Sequence, residues 1–194
     1  MSNQTAAIIL AAGASARLGQ PKQLAELNGE TLLERAVRIA CNAGCSPVLV
    51  VLGASFHEIL AYSRLGDAIP VICDRWQVGM SASIAQGVKT LGIVAPKAHG
   101  VILMTCDQPA VTPQHLRALA ASGEVTGSEY AGRRGVPAYF PASSFASLMQ
   151  LSGDSGARDL LRDAHAIPLP LGELDIDTPE ALAEARRLFS TPNI

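Results

Sequence analysis

Apolar residues fall along the first half of the chain in two alternating rhythms. Unbroken runs over residues 6–10, 47–52, 69–72 and 100–104 predict short strands buried on both faces. Between them the spacing turns helical: residues 31–43 set Leu32, Leu33, Val37 and Ala40 on one face, and helices are predicted around 55–62 and over 81–90. Thr31 followed three positions later by Glu34 forms a capping box and starts the first helix. Thr112-Pro113 supplies a cap and first helical residue for another.

After residue 123 the rhythm changes. Residues 125–130 and 136–140 read as strands around the turn Gly132-Arg133-Arg134-Gly135, residues 155–161 as a helix, and 167–171 as a further strand. Thr178-Pro179 opens a final helix running through Phe189. Strands alternating with helices require cover on both faces, which predicts a three-layer α/β/α sandwich with a Rossmann-like, mostly parallel sheet. With no hinge-like linker in view, a single domain over 1–194 is expected. Its first part runs to about residue 123, and the rest would complete the same sheet and supply an acceptor-binding shoulder.

Composition narrows the function classes. The chain has 194 residues, 48% of them apolar, enough for one substantial core. Its 15 basic and 17 acidic residues leave a net charge of -2, so no basic field gathers nucleic acid, and aromatics at 4% offer few base-stacking platforms. Cys41, Cys45, Cys73 and Cys106 form neither a CxxC pair nor a dense framework, consistent with a reducing cytoplasm. Residues 1–16 lack the pattern of a signal peptide, and no apolar run reaches membrane-spanning length, so a soluble protein without a membrane partner is expected.

The densest chemical signal is Leu10-Ala11-Ala12-Gly13-Ala14-Ser15-Ala16-Arg17-Leu18-Gly19, followed by Lys22. Glycines allow tight curvature, exposed amides can hold phosphate oxygens, and Arg17 and Lys22 can neutralise them, which together make a triphosphate cradle. The run is neither G-x-G-x-x-G nor a Walker A sequence, and an ordinary strand-to-helix turn is the competing reading. Asp107 follows a buried strand, at the sheet edge where parallel α/β proteins place ligands, and can hold magnesium carrying phosphate oxygens; a turn-forming Asp is the rival. Asp175 and Asp177 share one face of an extended segment, and either can complete such a site, although Asp177 can instead cap the last helix.

These segments, in their order, resemble the MobA-like nucleotidyltransferase family, closest to its molybdenum cofactor cytidylyltransferase branch. The resemblance is carried by residues 10–19 with Lys22, Trp76-Gln77-Val78-Gly79-Met80-Ser81-Ala82-Ser83, Cys106-Asp107-Gln108-Pro109 and Gly132-Arg133-Arg134-Gly135-Val136-Pro137-Ala138-Tyr139-Phe140. Gly153-Asp154-Ser155-Gly156-Ala157-Arg158 and Asp175-Ile176-Asp177-Thr178-Pro179-Glu180 complete it. The resemblance implies Arg17, Lys22, Asp107 and Asp177 as catalytic residues, with magnesium on Asp107 and Asp177. Leu10, Ala11, Ala12, Gly13, Ala14, Ser15, Gly19, Gly79, Met80 and Ser83 would contact the nucleotide, and Arg158 the cofactor side.

Leu-Ala-Ala-Gly in the first loop resembles the cytidylyl branch, where the guanylyl branch commonly has Leu-Ala-Gly-Gly. The implied reaction joins CMP from CTP to the phosphate of a molybdopterin-type cofactor and releases pyrophosphate. GTP-dependent guanylyl transfer, another phosphate acceptor, and a non-catalytic chaperone that delivers the cofactor to a molybdoenzyme are the alternatives. Val136 stands where the cytidylyl branch often carries histidine, and Asp74 where asparagine is frequent.

Other residues take plainer roles. Ser81 and Ser83 lack the G-x-S-x-G context of an acyl nucleophile, and His57, His99, His115 and His165 are too scattered for zinc. Cys106 reads as a small apolar filler, and Cys41 and Cys45 as buried helix-end residues. Trp76 either lines a pocket or anchors a loop. Arg133 and Arg134 either meet an anionic acceptor or sit in a solvated turn, and Asp154 can orient Arg158.

Overall fold

The structure, a computed structural model, describes residues 4–153 and 156–189. Four parallel strands form the first half of one sheet: β1 (Thr5–Ala11), β4 (Val48–Leu52), β5 (Ile69–Ile72) and β6 (Gly100–Thr105). β7 (Thr126–Tyr130), β8 (Arg133–Pro141) and β9 (His165–Pro168) extend it in the order β5-β4-β1-β6-β8-β7-β9, with β8 antiparallel to its neighbours. The chain moves outward from β1 to β5, then crosses back to β6 on the other side of β1. That reversal leaves a crevice beyond the carboxyl ends of β1 and β6, the switch point where open α/β sheets bind ligands.

Alternation within β1 shows how the layers are fixed. Ala7, Ile9 and Ala11 face one core with residues of α1 (Leu32–Asn42), α2 (Phe56–Tyr62) and α4 (Pro113–Ala121). Ala6, Ile8 and Leu10 face the other, with α3 (Met80–Val94), α5 (Phe145–Met149) and α6 (Arg158–Leu161). Successive strand side chains point to opposite faces, so an unbroken apolar run is what two helical layers demand. The three-layer sandwich expected from the sequence is therefore present. Among the described residues no helix is long and apolar enough to cross a membrane.

A third, smaller core lies outside the sheet. Leu18, Ala25, Leu27, Leu32 and Ile176 pack there with Leu182 and Ala185 of α7 (Pro179–Phe189). Leu27 belongs to a hairpin, β2 (Glu26–Leu27) with β3 (Glu30–Thr31), turned by Asn28 at φ 56 and Gly29 at φ 76. Both turn residues are left-handed, as a two-residue type I′ loop requires.

Predicted helix starts hold in detail. Thr31 Oγ1 accepts the Glu34 amide at 3.2 Å while Glu34 Oε2 accepts the Thr31 amide at 3.2 Å. Thr112 Oγ1 accepts the His115 amide at 3.2 Å.

Five expectations are corrected. The turn assigned to Gly132-Arg133-Arg134-Gly135 is Ala131-Gly132, at φ 48 and φ 69, so Arg133 and Arg134 lie in β8. The strand expected over 167–171 pairs over His165–Pro168 instead, because Pro168 and Pro170 lack the amides to continue the ladder. α3 extends beyond the expected 81–90, and the helix expected over 155–161 is seen as Arg158–Leu161, Ser155 lying outside the described residues. Cys41 is exposed rather than buried, while Cys45, Cys73 and Cys106 are buried and none of the four is paired.

Candidate active site

The loop after β1 rises from the sheet edge at Ala11 and descends again into a single 3-10 turn, Lys22–Leu24. Its middle is bent at Ser15, which holds φ 54, and Leu18 folds back to pin the loop to the third core. The amides of Gly13 and Ala14, both on the exposed part of the loop, donate to no protein group among the described residues. Lys22 returns from the far end of the loop toward β6.

Three chain segments meet at its ammonium. Lys22 Nζ lies 2.5 Å from Asp107 Oδ2 and 2.6 Å from Asp177 Oδ1, and Arg17 Nη2 lies 2.7 Å from Asp177 Oδ2. Asp107 lies two residues beyond the end of β6. Asp177 is delivered by an anchor: the Ile176 amide donates to the Asp107 carbonyl at 2.9 Å, and the Ile176 side chain is fully buried in the third core. With Ile176 turned into the core, its two neighbours turn outward, and Asp175 and Asp177 line the same cavity. Asp177 is not the cap of α7, since Thr178 Oγ1 accepts the Ala181 amide at 3.2 Å.

Charge and burial oppose one another here. Burial pulls the Lys22 ammonium toward neutrality, but the charge of Asp107 and the hydrogen bonds to Asp107 and Asp177 outweigh it and hold its pKa above the ordinary lysine range. Asp175 is pushed up to about 6, by burial first and then by the negative charges of Asp107 and Asp177. Burial, with Asp107 beside it, also pushes the Cys106 thiol up to about 12, so Cys106 is an inert filler.

Two cavities open from this junction and share Lys22, Met80, Thr105 and Asp107. The first, about 480 Å³, is lined by Leu10, Ala11, Ala12 and Gly13 on one side and by Trp76, Gln77, Gly79, Met80 and Ser83 on the other. Gly79, at φ 123 and ψ 178, occupies backbone space that is essentially glycine's alone and turns the chain into α3. Trp76 serves both roles foreseen for it, lining the cavity and packing so closely on Gly53 that a Cβ there would lie 2.5 Å from the indole Cγ. The second cavity, about 300 Å³, is bounded by Gln108, Tyr130, Arg133, Arg134, Arg158, Asp175 and Asp177 among others. Arg133 stacks over the Tyr130 ring at 5.3 Å, and Gln108 Nε2 donates to the Gly172 carbonyl at 3.0 Å, bracing the segment that carries Asp175.

Of the residues singled out from the sequence, Leu10, Ala11, Ala12, Gly13, Lys22, Gly79, Met80, Ser83 and Asp107 line the first cavity, and Asp177 and Arg158 the second. Arg17 stands at the rim, largely exposed. Ser15 turns its hydroxyl inward, where it accepts the Lys22 amide at 3.0 Å. Ala14 and Gly19 lie on the exposed loop outside both linings. Asp154 lies outside the described residues. Sequence reasoning passed over Gln23, buried under the loop, and Gly53, whose need for a bare α-carbon arises from a side chain 23 positions away.

The donor set suits a divalent cation. Asp107 Oδ1 is buried without a hydrogen-bond partner, an open acceptor beside a second carboxylate. No group of three or more His, Cys, Asp or Glu side chains placed to hold a metal ion occurs among the described residues. Arg17, exposed at the rim, is paired with Asp177 at 2.7 Å.

Comparison with known proteins agrees with this geometry. Residues 7–167 match the MobA-like NTP transferase domain. The purine catabolism protein PucB of Bacillus subtilis strain 168 is 32% identical over 94% of this chain and 96% of its own length. The nicotine blue oxidoreductase of Paenarthrobacter nicotinovorans is 31% identical over 80% of each chain. Among solved structures, Rv0371c of Mycobacterium tuberculosis H37Rv superposes with a TM-score of 0.83 at 30% identity, covering 96% of this chain and 99% of that one. The same mycobacterial protein has been solved in complex with manganese, at a TM-score of 0.75 and 27% identity, covering 95% of this chain and 98% of that one. The match spans residues 7–167, most of the sequence, and the chain belongs to the MobA-like NTP transferase family as a nucleotidyltransferase.

Proposed function

We propose that the protein transfers CMP from CTP to the phosphate of a molybdopterin-type cofactor and releases pyrophosphate. The observation that carries this reading is the junction at Lys22 and Asp107, where a glycine-rich anion cradle and a second, arginine-bordered cavity share one wall. A nucleoside triphosphate in the first cavity would present its α-phosphorus at that junction, and an acceptor in the second would approach from the opposite side, as in-line displacement requires.

The acceptor phosphate is already an anionic nucleophile, so no serine or cysteine attack is needed. Lys22, Arg17 and the free loop amides neutralise the triphosphate and the departing pyrophosphate. Asp107 and Asp177 would hold a magnesium ion, which when bound supplies charge neutralisation to the phosphates; the orphaned Asp107 Oδ1 and the manganese complex of Rv0371c support a divalent cation here. CTP is favoured over GTP by the resemblance of the Leu10-Ala11-Ala12-Gly13 loop to the cytidylyl branch.

The test crosses CTP and GTP, with and without magnesium, against the molybdenum cofactor and simpler phosphate acceptors, reading pyrophosphate release and the mass of the adduct. Magnesium-dependent release with CTP and the cofactor is the expected outcome. Release only with GTP moves the assignment to guanylyl transfer. Ligand binding without release under any combination replaces catalysis by cofactor carriage.

A further inference from the structure

We infer that Gln23 is the positioning residue of the triphosphate loop: one buried amide decides which face of the loop backbone a ligand meets. The inference rests on the nucleotide-transfer reading above and adds to it a residue that touches neither nucleotide nor acceptor. Gln23 has no exposed surface, although it directly follows the ammonium-bearing Lys22. Its Nε2 donates to the Ala11 carbonyl at 2.6 Å and to the Gly13 carbonyl at 3.3 Å, and its Oε1 accepts from the Ser15 hydroxyl at 3.4 Å. Two carbonyl acceptors on one side fix the orientation of the amide, because only its NH2 end can donate. The Ser15 oxygen in turn accepts the Lys22 amide at 3.0 Å, closing a ring from the base of the loop, through its bend, to the residue that crosses to the carboxylates.

This ring has a directional effect. In a trans peptide the carbonyl and the following N–H point opposite ways. Drawing the Ala11 and Gly13 carbonyls down to Gln23 therefore turns the amides of Ala12 and Ala14 away from it. The Ala12 carbonyl is taken by the Ala54 amide at 3.0 Å, which orients the Gly13 amide in the same manner. Three consecutive carbonyls are thus occupied on the protein side, and the amides of Gly13 and Ala14 are left without a protein acceptor among the described residues. Without Gln23 those carbonyls are free to rotate toward the phosphates and repel them. Ser15, at φ 54, would also lose one of its two side-chain hydrogen bonds.

A core filler and a positioning residue predict different ligand behaviour. The experiment measures equilibrium binding of CTP, CMP and inorganic pyrophosphate, all with magnesium, together with thermal unfolding, in the full chain and in Gln23→Glu and Gln23→Met. Glu is nearly isosteric but sets a carboxylate oxygen against two carbonyls, and Met keeps the bulk without hydrogen bonds. Affinity for CTP and pyrophosphate is expected to fall about tenfold in both, with CMP affinity changed by less than about threefold.

Folded variants whose CTP-to-CMP affinity ratio stays at the wild-type value overturn the inference. If both glutamine variants fail to fold, Ser15→Ala cuts the ring at its half-buried bend; a lowered ratio supports the inference and an unchanged ratio overturns it. Because pyrophosphate binding needs neither a base nor an acceptor, the two readings separate. Wild-type protein that binds pyrophosphate but releases none from any nucleotide removes the transfer reading alone. Wild-type protein that binds no pyrophosphate removes both.

Discussion

Replacing Gly53 by alanine adds one carbon where the wall of the first cavity has no space for it. The new Cβ would stand 2.5 Å from Cγ and 2.6 Å from Cβ of Trp76, and 2.8 Å from the Ala12 carbonyl oxygen. None of the three is the free end of a flexible chain, so either the indole swings out or the loop backbone carrying Ala12 shifts. Overpacking of this kind costs about 1–3 kcal/mol, which for a chain of this size lowers the melting temperature by roughly 2–12 °C. Trp76 is the only tryptophan, so intrinsic fluorescence reports its displacement directly. Gly53→Ala is expected to shift the emission, to lower the melting temperature within that range, and to weaken nucleotide binding through the displaced wall. In a Trp76→Gly background, which removes both the Cγ and the Cβ of residue 76, the same substitution should cost less, because two of the three close contacts are gone, and the double-mutant cycle should be non-additive. A Gly53→Ala protein with wild-type emission, melting temperature and nucleotide affinity, or equal costs in both backgrounds, would refute this account of the cavity wall.

Three other outcomes follow from the site. Asp107→Ala and Asp177→Ala should each lower pyrophosphate release by about 100-fold or more while circular dichroism stays native; undiminished turnover in either folded variant argues against its assigned role. Ile176→Ala keeps the amide bond to Asp107 but empties a fully buried position, so urea unfolding should show a loss of about 2–5 kcal/mol, and turnover should drop although both carboxylates remain. His115 is held neutral by burial below the ordinary histidine pKa, with its Nε2 donating to Ser128 Oγ at 2.7 Å, since that hydroxyl itself donates to the Pro137 carbonyl at 2.6 Å. The unfolded chain takes up the proton near pH 6.5 and the folded one resists it, so stability should fall as pH drops below about 6.5. Replacing His115 by Gln should flatten that part of the profile, and identical profiles would count against a buried neutral imidazole.

What the sequence discloses depends on the range of the interaction. The double-faced runs of β1, β4 and β6, the capping box at Thr31 and the cap at Thr112 are local, and they read directly from residue order. The hairpin at Asn28-Gly29 carries a local turn signal, but strands of two residues are too short for alternation to register. The contact of Lys22 with Asp177 spans 155 positions, so no periodicity reveals it, and only the motif resemblance brought the two residues together. Gln23 shows the opposite limit: a glutamine beside a lysine reads as surface, and only the curled loop above it supplies the carbonyls that make its burial tolerable.

The third core ties the site to the order in which the polypeptide emerges during synthesis. Leu18, Leu27 and Leu32 are made early, but the wall that completes their packing is Ile176 with Leu182 and Ala185. A ribosome-bound fragment that has already formed the parallel strands still lacks the second carboxylate and the wedge that seats it. The junction of Lys22, Asp107 and Asp177 therefore assembles only once residues more than 150 positions beyond the loop have joined its packing.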